Sequence, residues 1–136
     1  MITLKSAREI EAMDMWEVEE YVRRRCKEEN VLPLQIGVEG SIMDYPYATC
    51  CSLNDEVAHA FPRHYILKDG DLLKVDMVLS EPIDKSVLDV SKLDFDNVAQ
   101  VKKYTESYAG GLADSCWAYA IGTPSDEVKN LMEVTR

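Results

Sequence analysis

The stretch LLKVDMVLS, residues 72–80, decides the fold, because it follows the segment KDGD at residues 68–71. An Asp-Gly pair is a strong signal for a tight turn. The alternating apolar residues after it predict a β-strand with one face against a core. That face carries Leu73, Val75, Met77 and Leu79. Asp76 falls on the opposite face, so the strand places a carboxylate near its centre.

A second stretch, GLADSCWAYAIG at residues 111–122, has the same character. One face carries Ala113, Ser115, Trp117 and Tyr119. Asp114 lies on the other face, between Leu112 and Cys116. If the residues between the two strands loop out, the strands can pair antiparallel, and Asp76 and Asp114 then lie side by side.

Several explanations fit such a pair of aspartates. Each one taken singly fits a solvated strand face. Two carboxylates that face each other repel, and a shared proton or a divalent metal with hard oxygen ligands would offset that repulsion. An ion pair of Asp76 with Lys74 is a further alternative. His59, in NDEVAH, has no metal-ligand spacing of its own and taken alone is typical of a surface or hydrogen-bonded histidine.

The other segments predict a mixed α and β chain. Apolar periodicity and the capping pair Ser6 and Glu9 predict a helix over residues 6–30, with a slip in the apolar stripe near Asp14–Met15. The charged run RRRCKEEN within it is typical of a solvated face. Residues 31–40 indicate a short strand with turns, and residues 45–53 a second strand.

The segment 81–108 is polar and acidic, which predicts an excursion from the sheet with a short helix over residues 96–107. A last helix begins after Thr123-Pro124-Ser125, where a capping side chain and proline favour a helix start. It runs to the chain end without a cap, which favours an incomplete single domain over residues 1–136.

Composition excludes several classes of function. The 136 residues carry a formal net charge of −10, which disfavours nucleic acid and anionic membranes as partners. The sequence has no apolar run of membrane-spanning length and no secretory h-region, so a cytoplasmic protein is expected. The four cysteines lack metal-site spacing and are expected to be thiols in a reducing compartment.

Three motifs in order, NDEVAHAFP, LKDGDLLKVDMVL and GGLADSCWAYAIG, resemble the first half of a type I methionine aminopeptidase. With YPYATCCSL included, the similarity runs from about Trp16 to the chain end. The excursion at 81–108 is similar to an insert in streptococcal members.

The resemblance implies an α+β fold, the N-terminal half of a pita-bread (creatinase/aminopeptidase) fold, with flanking helices on an antiparallel sheet. It implies removal of the initiator methionine from nascent polypeptide N-termini in the cytoplasm. It also implies two divalent metal ions (Co, Mn, Fe or Zn) that share a water or hydroxide.

Position by position, the resemblance assigns metal ligation to Asp76 and Asp114. It assigns His59 to contact with the substrate near the scissile amide, where it stabilises the tetrahedral intermediate. Tyr45 and Cys50 match positions that line the pocket for the methionine side chain.

The chain departs from the family in two ways. An internal gap lies near Asp14–Met15, and the remaining ligands, one histidine and two glutamates, have no counterpart in this sequence. The alternative is therefore a truncated, catalytically inactive relative, a half-domain that associates with itself or a partner through an exposed sheet edge.

Overall fold

The computed structural model describes residues 12–135, which form an α+β arrangement as predicted. The elements are, in chain order, α1 (Trp16–Glu29), β1 (Cys50–Leu53), β2 (Leu72–Ser80), a 3-10 turn (Val90–Lys92), α2 (Val98–Ser107), β3 (Leu112–Ala120) and α3 (Asp126–Val134). The strands form one sheet in the order β1-β2-β3, in which β1 and β2 run antiparallel. None of the helices within these residues is long and apolar enough to cross a membrane.

The chain forms two compact units. The first contains the described residues up to Val18, together with Cys50–Asp76 and the residues from Cys116 onward. The second contains Glu19–Thr49 and Met77–Ser115. Each unit has its own buried side chains.

Helix α1 begins at Trp16, so the prediction of a continuous helix over residues 6–30 is wrong at residues 12–15. The backbone there pairs with a distant segment, because the Met15 N–H donates to the Tyr65 carbonyl at 2.8 Å and the Leu67 N–H to the Met13 carbonyl at 2.9 Å. The predicted capping pair, Ser6 and Glu9, lies outside the described residues.

Asp14 provides the helix start that the sequence reading placed elsewhere. Its Oδ1 atom accepts a hydrogen bond from the Trp16 N–H at 3.1 Å, which satisfies one of the donors that a helix N-terminus leaves open. The same oxygen accepts from the Tyr65 N–H at 2.9 Å. The slip in the apolar stripe near Asp14–Met15 is therefore a real boundary between extended chain and helix.

Helix α1 ends at Asn30, which adopts a positive φ of 55° and is 4% exposed. Its side-chain amide donates to the carbonyls of Ile83 and Leu88 at 2.6 and 2.9 Å. Its side-chain oxygen accepts from the Val90 N–H at 2.8 Å. One asparagine thus terminates the helix and fixes the start of the segment 81–108.

The segment 81–108 is polar in composition, yet it supplies much of the core of the second unit. Four of its apolar side chains are at most 6% exposed: Val90, Leu93, Phe95 and Val101. They pack with residues of α1 and of the chain that follows it, including Val22, Cys26 and Ile36. The predicted short helix is present as α2, and the segment leaves the sheet as predicted, while its apolar side chains pack inside the unit.

The strand predictions are confirmed for β2 and β3, confirmed in part for residues 45–53, and wrong for a strand within residues 31–40. Residues 31–40 form turns, with an isolated bridge between Pro33 and Leu79. Of the predicted strand 45–53, only Cys50–Leu53 is a strand. Ser125 caps α3 as expected, since its hydroxyl accepts from the Val128 N–H at 3.3 Å.

The four cysteines are thiols, as predicted. Cys26, Cys50 and Cys51 are buried, whereas Cys116 on β3 is exposed. Burial raises the pKa of Cys26 to about 12, because the thiolate cannot be solvated there.

Gly37 allows α2 to approach the loop that follows α1. Its φ is +91°, and a Cβ placed on it would lie 2.7 Å from the Cβ of Lys102. We expect Gly37→Ala to lower the free energy of unfolding by about 2 to 3 kcal/mol, through backbone strain plus overlap with the helix.

Gly70 provides the matched control for a urea titration. It has a similar φ of +89°, but no atom lies within 4 Å of its built Cβ. Gly70→Ala should therefore show the backbone cost alone, about 1 kcal/mol. Equal losses at the two positions would contradict the close approach of α2 to Gly37.

Candidate active site

The antiparallel register of β1 and β2 places Cys50 directly opposite Asp76. Directly paired residues project from the same face of a sheet, so the cysteine and the carboxylate are cross-strand neighbours. The opposite face of these strands is buried, with Leu73 at 0% and Val75 at 1% exposure. The alternation predicted for β2 holds at residues 72–75, whereas residues 76–79 are all half-buried, and the pairing with Cys50 fixes the face from which Asp76 projects.

Asp76 is half-buried, and its Oδ1 atom is enclosed by protein. Removing carboxylate oxygens from water is unfavourable unless hydrogen bonds or cations stabilise them. This enclosure makes a simple solvated strand face a poor description of Asp76. The explanation by an ion pair with Lys74 is also unsupported, because the Lys74 ammonium donates to the Asn54 carbonyl at 2.7 Å.

The KDGD turn sets the start of β2 through Asp71, which is 8% exposed. Its carboxylate accepts from the Asn54 side-chain amide at 3.0 Å and from the Lys68 N–H at 2.9 Å. Burial alone would raise the pKa of Asp71, but these hydrogen bonds outweigh it and hold the pKa below its ordinary value of 3.8. The turn predicted from the Asp-Gly pair thus closes through an ionised side chain.

His59 lies in the loop after β1 and is exposed. Its φ is +59°, in the left-handed region that residues other than glycine rarely adopt. The next residue is held firmly, since the Ala60 carbonyl accepts from the Cys51 N–H at 2.9 Å and the Ala60 N–H donates to Ser52 Oγ at 3.3 Å. The loop therefore attaches His59 to β1 in a strained backbone conformation.

The opposite side of this loop is fixed by Glu56. One carboxylate oxygen, Oε2, accepts from the Leu53 N–H at 2.7 Å and from Arg63 at 3.2 Å, and the other forms an ion pair with Arg63 at 3.0 Å. Burial opposes ionisation, but the Leu53 and Arg63 hydrogen bonds lower the pKa of Glu56. The strained histidine thus sits on a closed loop.

Tyr45 lies in the second unit and is half-buried. Its hydroxyl donates to the Thr49 carbonyl at 3.0 Å, and its ring meets that of Tyr47 edge-on at 6.2 Å between centroids. These contacts fold residues 45–49 back on themselves before β1 begins. That fold explains why this part of the predicted strand 45–53 is not extended.

Sequence reasoning missed the residue that holds this segment, Glu19. Its side chain is 0% exposed and pairs with Arg23 at 2.6 Å. The run RRRCKEEN was interpreted as a solvated face, which is wrong for Arg23, whose side chain is 14% exposed. The available signal was a glutamate in the apolar stripe of α1 with an arginine four residues later.

Asp114 lies on β3, is exposed, and belongs to the second unit, whereas Asp76 belongs to the first. The convergence of the two carboxylates stays a prediction. Within residues 12–135, no group of three or more histidine, cysteine, aspartate or glutamate side chains comes together as a metal site would require. The roles assigned to His59, Tyr45 and Cys50 likewise stay predictions.

A solved methionine aminopeptidase from streptococci is 72% identical to this chain, with a TM-score of 0.82. The similarity covers 99% of this chain and 57% of that one. The chain is homologous to the methionine aminopeptidases. The resemblance read from the motifs is thereby confirmed.

More distant methionine aminopeptidases are also similar to this chain. The solved Thermotoga maritima structure is 28% identical with a TM-score of 0.65, over 93% of this chain and 39% of that chain. Curated relatives from Bacillus subtilis and Aquifex aeolicus are 29% and 25% identical over 88% and 89% of this chain. The chain spans 36% and 38% of those two methionine aminopeptidases. No family model matches the chain.

The strain at His59 predicts an inverted order of stability between two variants. His59→Gly should unfold at higher urea concentration than His59→Ala, by about 1 kcal/mol, because glycine accepts a positive φ without steric cost. At the neighbouring exposed position, Val57→Gly should instead be less stable than Val57→Ala. The same order at both positions would argue against a left-handed His59.

Asp71 predicts a pH-dependent difference between the wild type and Asp71→Asn. The folded-state pKa lies below the unfolded one, so the stabilisation is full above pH about 4 and is lost as the pH falls through the folded-state pKa. Urea titrations should show a difference of about 1 to 2 kcal/mol at pH 7 that shrinks below pH 4. The exposed Asp55→Asn should show little difference at pH 7, and a constant gap for Asp71→Asn would contradict the assignment.

Proposed function

We propose that this chain provides the N-terminal half of a pita-bread metalloaminopeptidase that removes the initiator methionine from nascent polypeptides. The support is homology over nearly the whole chain to a streptococcal methionine aminopeptidase. The observation that carries the proposal to specific residues is the pairing of Cys50 with Asp76, because it puts a proposed pocket residue beside a proposed metal ligand.

Each proposed site residue has a separate role. Asp76 and Asp114 would bind divalent metal ions, which polarise a scissile carbonyl and lower the pKa of bound water. His59 would donate a hydrogen bond near the scissile amide. Tyr45 and Cys50 would contact the methionine side chain, for which aromatic and thiol walls are suitable.

The residues of this chain provide only part of the ligand set that a divalent metal ion requires. Carboxylates are suitable hard donors, and the enclosed Oδ1 of Asp76 favours a ligand role for this side chain. However, tight binding of a divalent ion takes more ligands than two aspartates, and residues 12–135 hold no cluster of three candidate ligands. No hydrolytic step is therefore assigned to this chain by itself.

The test supplies the region of the streptococcal relative that this sequence does not span. With Mn²⁺ or Co²⁺ and a Met-Ala peptide, we expect the chain alone to release no free methionine. Adding the part of the streptococcal relative that has no counterpart here should restore release, measured as free methionine. Asp76→Asn and Asp114→Asn should each lower the restored rate at least about a hundredfold, as loss of a metal ligand would.

Asp84→Asn is a matched control, since Asp84 is exposed and, within residues 12–135, its carboxylate accepts hydrogen bonds only from Ser86 in its own turn. It should leave the rate within about twofold. A complex that forms one-to-one but releases no methionine would refute the proposed activity. Rates unaffected by Asp76→Asn would refute the ligand assignment.

The second candidate is a catalytically inactive half-domain that associates with itself or with a partner. Exposed apolar side chains on β3 and α3 favour it, with Leu112 at 61%, Trp117 at 58% and Val134 at 80% exposure. β3 is an edge strand, and such edges promote pairing with further chains. A dimer in light scattering, without methionine release in the complementation assay, would favour this function over the first.

A further inference from the structure

The segment 81–108 has no part in the proposed chemistry, yet it is anchored inside the second unit. Phe95 is 3% exposed and Val101 is 0% exposed. Asn30 fixes the beginning of the segment through three hydrogen bonds. Because the segment is packed rigidly at its start and along its helix, its polar side chains can hold the residues that they contact in fixed positions.

The polar side chains of the segment reach residues 44–49, which we call the strap, directly through Lys102 and indirectly through Asp96 and Arg23. The strap carries Tyr45 and leads directly into Cys50. It has no helix or strand of its own, and its amide groups need partners outside it.

Glu19 supplies those partners from α1. Its two carboxylate oxygens accept from the Ala48 N–H at 2.8 Å, the Thr49 N–H at 2.9 Å and the Thr49 hydroxyl at 2.6 Å. A fully buried carboxylate is costly unless a cation pairs with it, and Arg23 is that cation.

Arg23 joins Glu19 to both the strap and the segment 81–108. Its Nε lies 2.6 Å from Glu19, and its Nη2 donates to the Pro46 carbonyl at 3.4 Å. Its Nη1 donates to Asp96 at 2.6 Å, and its guanidinium carbon lies 6.0 Å from the centre of the Tyr47 ring. Arg23 is therefore held from both sides in one conformation.

A second link reaches the other end of the strap from α2. The Lys102 ammonium donates to Asp44 Oδ2 at 2.8 Å, and both side chains are half-buried. Thr105, one turn further along the helix, donates to the Ile36 carbonyl at 3.0 Å. The Gly37 N–H in turn donates to the Tyr45 carbonyl at 2.8 Å, so α2, the loop and the strap form one connected unit.

We propose that the segment 81–108 is a buttress that holds the strap, with Lys102 and Arg23 as positioning residues for Tyr45. Under the proposed function, on which this inference rests, the buttress sets the position of Tyr45, which is proposed to contact the methionine side chain. Of the two ion pairs that connect the segment to the strap, the pair of Lys102 with Asp44 contributes more to holding the strap than the pair of Asp96 with Arg23. The Lys102 pair is half-buried, whereas Asp96 is 83% exposed and solvent screens its pair with Arg23.

Amide hydrogen exchange tests the buttress directly, because the Ala48 and Thr49 amides bond to Glu19 inside the strap attachment. Lys102→Met should speed exchange of both amides about three- to tenfold, and Asp96→Asn by about twofold, by easing local opening. Lys103→Met and Asp84→Asn are the controls, as each removes a charge from an exposed position of the same segment. Both should leave the two rates unchanged.

Two further measurements separate positioning from general destabilisation. The amide of Val22, in the core of the same unit, should keep its rate in every variant. Lys102→Arg retains a donor for Asp44 and should restore slow exchange to within about twofold of the wild type.

The outcomes distinguish this inference from the proposed function. Equal exchange at Ala48 and Thr49 in Lys102→Met and Lys103→Met overturns the buttress, whether or not methionine is released in the complementation assay. A parallel rise in exchange at Val22 also overturns it, because the effect would then be global unfolding. Failure of methionine release with a normal exchange pattern counts against the proposed activity alone.

Discussion

The buried ion pair of Glu19 and Arg23 is the interaction on which the second unit depends. A carboxylate at zero exposure must be matched by a cation and by hydrogen-bond donors, or burial strongly destabilises the fold. Here the donors come from the strap and the cation is oriented by the segment 81–108. A single buried charge thus requires α1 and the strap to be in place together. Such a requirement favours one arrangement over many loosely packed alternatives, because any partial arrangement leaves a polar group unsatisfied.

The first unit depends on a different constraint, the register between β1 and β2. A slip of one residue would turn every side chain to the opposite face, moving Leu73 and Val75 out of their buried positions and Asp76 into the core. The turn closed by Asp71 and the loop closed by Glu56 both resist such a slip, since Asp71 binds the Lys68 N–H in the turn before β2 and Glu56 binds the Leu53 N–H at the end of β1. The position of Asp76 beside Cys50 follows from the burial of its apolar neighbours.

Features set by local chemistry could be predicted from the sequence. The strand face of Asp76, the Asp-Gly turn, the helix within 81–108 and the cap at Ser125 all follow from patterns within a few residues. The start of α1 could not, because it depends on pairing with residues 65–67, about fifty positions away. The conformation of the strap could not be predicted either. Its β-propensity favours a strand, but its amide groups donate hydrogen bonds to Glu19, which is distant in sequence. Tertiary contacts overrode local preference at both places.

The same distinction between local patterns and tertiary contacts applies to the candidate site. Motif similarity predicts Asp76, Asp114, His59, Tyr45 and Cys50 as site residues, and local alternation predicted the face of Asp76. Neither could reveal that His59 is strained or that Glu19 and Arg23 support the strap, because those facts depend on backbone geometry and on packing between distant segments. Composition predicted that residues 81–108 leave the sheet, but it could not show that a few apolar side chains among many charged ones determine their packing.

The distribution of the thiols has a practical consequence. Cys26, Cys50 and Cys51 lie inside the protein, while Cys116 faces solvent on the edge strand β3. Maleimides and similar electrophiles react with accessible thiolates, so we expect mild alkylation of the native chain to place a dye or spin label at Cys116. The natural sequence therefore provides a labelling site on the exposed strand, so that binding of a partner to β3 can be followed by spectroscopy without engineered cysteines.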